Sequence, residues 1–148
     1  MKAASNPGSI RPHWEHFEHV ADIGVRGYGE TAEEAFANVA MAMTAVITEP
    51  EAVKRADAVQ VKCEAACMDE LLYAWLNSLV FEMATRHMLF SDFEIEIADG
   101  RLQAVARGEK VDRARHQPAT EIKGATYTEL NVRRGCNGGW VAQCVLDV

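Results

Sequence analysis

At 148 residues the chain suits one domain, long enough to bury about 70% of the surface its unfolded form exposes. With 49% hydrophobic and 25% charged residues the composition is globular, and no apolar run approaches the roughly 20 residues that span a bilayer, which argues against a membrane segment. Twenty-two acidic against 15 basic residues leave a net charge of −7, which repels a phosphate backbone and disfavours autonomous nucleic-acid binding.

Met1 to Pro12 is polar, contains N-P-G-S and has no apolar core of signal-peptide length. Residues 1–15 therefore read as a disordered leader and residues 16–148 as the domain, with a cytoplasmic location as the expectation. In that reducing compartment Cys63, Cys67, Cys136 and Cys144 are expected as free thiols. His16 to Tyr28 predicts one or two short strands, from Phe17, Val20, Ile23 and Val25, bent near Asp22. Thr31-Ala32-Glu33-Glu34 matches a capping box, and Ala32, Phe36, Val39, Ala40, Met43 and Ile47 recur at helical spacing until Pro50. Ala58 to Cys63 alternates as a half-buried strand. In the following helix Leu71, Leu72, Trp75, Leu76, Leu79, Val80 and Met83 form a wide apolar face, with Asp69 and Glu70 suited to the dipole of its first turn.

Phe93, Ile95 and Ile97 alternate with acids, and Asp99-Gly100 supplies a hairpin turn to a return strand through Leu102, Ala104 and Ala106. Gly108 to Pro118 reads as a charged loop, Thr120 to Val132 as one long strand, and Asn137-Gly138-Gly139 as the turn into a last strand, Trp140 to Val148. The expected class is α+β: a largely antiparallel sheet or sheets with two main helices packed on one face, in a single domain.

Asp147 stands beside the α-carboxylate of Val148, and crowded carboxylates repel unless protonated or bridged by a cation. Oxygen ligands suit Ca²⁺, Mg²⁺ or Mn²⁺ rather than zinc, and Asp22 at its Gly-flanked bend could complete the set; a pair of solvated acids is the plainer alternative. His13, His16 and His19 form H-x-x-H-x-x-H, yet three-residue steps alternate faces on a strand and so cannot easily serve one metal. Cys63 and Cys67 lack the spacing and partner pair of a zinc ribbon. The phosphate-binding G-x-x-x-x-G-K-[ST], the nucleophile elbow G-x-S-x-G and the zinc motif H-E-x-x-H are all missing from the sequence. Lys123 with Glu121 and Tyr127 reads either as a functional group of side chains or as a solvated charge set.

His19 to Phe36, Leu71 to Leu79, Leu89 to Ile95, the loop G-E-x-x-D-x-x-R-H from Gly108 to His116, Glu121 to Tyr127 and the chain's ending together resemble the archease family. The resemblance implies a non-catalytic activator of an RtcB-type RNA-splicing ligase, acting in tRNA splicing and RNA repair by promoting ligase guanylylation and multiple turnover. RNA would be met only through the ligase. It further implies a divalent-cation site (Ca, Mg or Mn) of Asp22, Asp147 and Val148, with Lys123 and His116 as candidates for a partner contact. An alternative implied role is chaperone-like, protecting an RNA-modifying partner from aggregation. The sequence departs from the usual family pattern at Gly124, commonly Ala, and at Thr128, commonly His.

Overall fold

A computed structural model describes residues 11–148, and its first strand begins earlier than the sequence suggests. β1 (His13–His19) takes in three residues assigned above to the leader; of the other twelve, Arg11 and Pro12 are exposed just before the strand and residues 1–10 lie outside the described residues. β1 turns through Val20-Ala21 into β2 (Asp22–Gly29), and the two strands pair antiparallel with His19 opposite Asp22. Three-residue steps do split the histidines. His13 stacks on Tyr28 on one face, whereas the His16 ring meets the Ala42 carbonyl on the other.

α1 (Ala32–Ile47) starts as its capping box predicts: the Thr31 hydroxyl accepts the Glu34 N–H at 3.1 Å. The Glu34 carboxylate reaches one residue further back than the usual box and accepts the Glu30 N–H at 2.7 Å. α1 lies hard against β2, because Gly27 has no side chain: a Cβ there would sit 2.2 Å from the Val39 nitrogen. After Thr48 caps the helix, Pro50 opens a single 3₁₀ turn, Pro50–Ala52.

β3 (Asp57–Glu64) and α2 (Met68–Arg86) follow the predicted periodicities. Leu71, Leu72, Trp75, Leu76 and Leu79 are fully buried, and the Trp75 indole N–H donates to the Phe36 carbonyl, tying α2 to α1. β4 (Met88–Ala98) begins five residues before the expected start at Phe93. Met88 to Ser91 are buried without alternation, and a register break between Phe90 and Asp92 lets Ser91 turn inward, where its hydroxyl donates to Val53 O. β5 (Arg101–Lys110) is reached through Asp99 and Gly100, both at positive φ as a type I′ hairpin turn requires. The charged loop is shorter than predicted, since β5 continues to Lys110 and a one-turn helix α3 (Arg113–His116) occupies the loop's centre.

The largest correction concerns residues 120–132. Instead of one strand there are two short ones, β6 (Gly124–Ala125) and β7 (Asn131–Arg134), both paired with β8 (Trp140–Asp147). Gly124 faces Asp147 and Asn131 faces Gln143, so seven residues run on one side while four run on the other. The surplus loops out between Thr126 and Leu130, held by the Thr126 hydroxyl to Val145 O, by Leu130 N–H to Tyr127 O and by a left-handed Glu129.

Among the described residues all strand pairs are antiparallel, in two sheets: β1-β2-β8-β6, with β7 also on β8, and β3-β5-β4. α1 packs on β1, β2 and β8 of the first sheet and on β4 of the second; α2 touches β6 and β7 of the first and all three strands of the second. The class is α+β, with both helices filling the core shared by the sheets. Among the described residues no helix is long and apolar enough to cross a membrane.

Candidate metal centre

Ile23 with Leu146 is the last rung of the β2–β8 ladder, so Asp22 and Asp147 are the next residues along the two adjacent strands. Residues so placed on adjacent antiparallel strands have Cα atoms about 5 Å apart and side chains on the same face. That face is fixed by the neighbours: Gly27 and Gly29 meet α1, so Asp22, Gly24 and Arg26, out of phase with them, turn away from the helix. On the other side of β8, Gly124 faces Asp147, and the Lys123 N–H donates to the Asp147 carbonyl at 2.8 Å. Three neighbouring strands thus bring Asp22, Asp147, Val148 and Lys123 to one end of the first sheet, although they come from opposite ends of the sequence.

These residues suit a hard cation in type. Asp147 and Lys123 are exposed, Asp22 and Val148 half-buried, and two carboxylate side chains with a chain-end carboxylate form an all-oxygen set. Among the described residues no three His, Cys, Asp or Glu side chains gather into a ready metal-binding group; the expected set needs only two such side chains. His19, opposite Asp22 in β1, was passed over in the sequence as part of the histidine series. Its ring Nδ1 is buried and has no hydrogen-bond partner among the described residues, and the only sequence signal was its position just before a two-residue turn.

The supporting architecture is specific. The Phe17 ring lies where a Cβ on Gly24 would come within 2.3 Å, which explains the glycine after Asp22-Ile23. Arg26 sits over the same ring, pairs with Glu15 and donates to Gln143 Oε1. The Arg26 hydrogen bond, followed by that of Tyr28, holds the Glu15 carboxyl below the usual range. Asn77 of α2 accepts the Ala125 N–H at 3.0 Å, pinning β6 beside the candidate site.

His116 is placed differently. It is buried, with its Nδ1 accepting the Asp112 N–H at 2.9 Å and its Nε2 2.9 Å from Glu109 Oε2. Glu109 also accepts from Arg115 at 2.8 Å and from the Lys54 N–H at 2.8 Å, and these bonds, Arg115 first, hold its carboxyl at about 2. The loop motif G-E-x-x-D-x-x-R-H is thus an internal knot, and His116 positions the loop rather than offering an open surface. The cysteines are free: burial pushes the Cys144 thiol up to about 12 and Cys63 to about 11, so neither is a thiolate at neutral pH.

A two-sheet α+β domain whose last strand runs between the first hairpin and a short partner strand, ending in acids, is the class that these features define. The sequence pattern of the Archease protein family (MTH1598/TM1083) matches residues 14–148, and the chain belongs to that family. It is 39% identical to Protein archease of Pyrococcus furiosus and 37% identical to that of Methanopyrus kandleri, each alignment covering 91% of this chain and 98% or 99% of the relative. The solution structure of Methanobacterium thermoautotrophicum Protein 1598 superposes with a TM-score of 0.80 at 32% identity, over 91% of this chain and 98% of that one.

Proposed function

We propose that the protein activates an RtcB-type RNA ligase, promoting its guanylylation and repeated turnover, through a divalent cation held at the end of the first sheet. The observation that supports this reading is the β2–β8 register, whose last rung, Ile23 with Leu146, leaves Asp22 and Asp147 as the next residues on adjacent strands. Asp22, Asp147 and the Val148 carboxylate are the ligands for Ca²⁺, Mg²⁺ or Mn²⁺. When bound, the ion offsets the repulsion of crowded carboxylates and presents a Lewis-acidic face to phosphate oxygens. Lys123, bonded through its main chain to Asp147, adds a second positive charge at that end. His116 contributes by fixing the loop. The protein is an accessory and the ligase keeps the chemistry, consistent with a net charge of −7 that suits docking on a basic protein more than on RNA.

Ligation assays with the activator limiting test this directly. Asp22→Ala and Asp147→Ala should each lose multiple turnover while leaving the single-turnover ligase reaction intact. Activation by both variants at the wild-type level would overturn the reading. The chaperone-like alternative gains no specific support here, since among the described residues the exposed large apolar side chains, Val20, Phe81 and Tyr127, lie in the β1–β2 turn, on α2 and in the loop after β6.

A further inference from the structure

A cavity of about 670 Å³ opens where the C-terminal ends of α1 and α2 meet the loop after β5, and the cation end makes no use of it. Its size falls within the ~300–1,000 Å³ typical of binding clefts. The floor is apolar and buried, formed by Ile47, Leu89 and Ile122, and Met83 and Met88 provide the adaptable side chains that accept varied apolar partners. One wall is rigid. The Glu109–His116–Arg115 knot and the bond from the Thr48 hydroxyl to the His116 carbonyl fix the loop, and left-handed residues, His87 and Gln117, close the turns that shape it. Such strained turns persist where the surroundings impose them.

Charge identifies the occupant. The two arginines of α3 are used in opposite ways: Arg115 is committed to Glu109, Asp112 and the Ala52 carbonyl, whereas the Arg113 guanidinium has no partner among the described residues and lines the cavity. His87 stands at the same rim. The exposed Glu121 also lines the cavity, yet no ion pair joins it to Arg113 among the described residues, so the guanidinium over the apolar floor is open to a partner's carboxylate.

We propose that this cleft docks a protein partner through an apolar side chain flanked by an acidic residue, the apolar group on Ile47, Leu89 and Met83 and the carboxylate on Arg113. The cleft shares no residue with the proposed ligand set, although its Ile122 adjoins Lys123, and because Asp22→Ala removes a ligand without touching the lining, its failure and that of the ligase reading are distinguishable. Random 12-residue peptides displayed on phage, selected on the wild-type protein and counter-selected on Ala84→Trp, provide the test. Ala84 is exposed at the rim, so the Trp fills the cleft without disturbing the core.

Sequences pairing Leu, Ile, Met or Phe with Asp or Glu should be enriched. Their fluorescence anisotropy should show about tenfold weaker binding to Arg113→Glu and unchanged binding to Asp22→Ala. Enrichment without acids, no peptide lost on Ala84→Trp, or equal binding by Arg113→Glu would overturn the proposal. So would oleate binding in place of peptides, or a concentration-dependent dimer abolished by Ala84→Trp, which would assign the cleft to an amphiphile or to a second copy.

Discussion

Val20 sits at φ 51°, in the left-handed region, at the first central position of the β1–β2 turn, and is 99% exposed. A β-branched residue pays about 1–2 kcal/mol for that conformation, and here no burial offsets the cost. Asn tolerates the left-handed region through local hydrogen bonding of its short side chain. Val20→Asn should therefore recover about 1 kcal/mol. At an unfolding entropy of about 2.1 cal/mol/K per residue, a chain of 148 residues gains about 3 °C in melting temperature for each kcal/mol. Val20→Gly should gain less, because glycine adds about 0.5–1 kcal/mol of chain entropy to be lost on folding. Calorimetry on the three proteins checks the order Asn above Gly above Val. If Val20→Asn melts at or below the wild type, the turn is not strained and the reasoning fails.

Asn77→Ala removes the acceptor of the Ala125 N–H and should cost about 1–3 kcal/mol, read as a lower urea midpoint, with weaker cation binding because β6 loses its anchor. Fusing a tag after Val148 should weaken cation binding measured by calorimetric titration, whereas a tag before Met1 should not; equal affinities would remove the chain end from the ligand set. Glu109, held at about 2 in the fold against an ordinary value of 4.5, contributes stability that is complete above pH 4.5 and lost as pH falls towards 2. Glu109→Gln should flatten the acid limb of the stability profile across that window, and an unchanged acid midpoint and slope would refute it.

Where one face of an element meets solvent, its pattern was readable: α1, α2 and β3 each alternate apolar and polar residues at their own period. The start of β4 escaped because Met88 to Ser91 are buried on both sides and follow α2 after a left-handed His87 that no glycine announces. The outward loop at residues 126–130 escaped for the opposite reason. Thr126 to Leu130 keep a strand-like alternation in the sequence, and only the register against β8 reveals the surplus. The acids of the candidate site were individually visible, but what joins Asp22 to Asp147 is a strand pairing across nearly the whole chain, which periodicity cannot encode. The resemblance makes His116 a candidate partner contact, and nothing in the R-A-R-H sequence announces that its ring is wholly enclosed against Glu109.

The central place of β8 carries a consequence for how the protein is made. β2, β6 and β7 all pair with this strand, the last of the eight to leave the ribosome, so most of the first sheet cannot form until residues 140–147 have emerged. Pairings of such long sequence separation are slow to close. During synthesis the β1–β2 hairpin must wait with an unpaired edge. A message cut short before Trp140 yields a chain that cannot finish its sheet, and such a product is marked for disposal by its own unsatisfied strands.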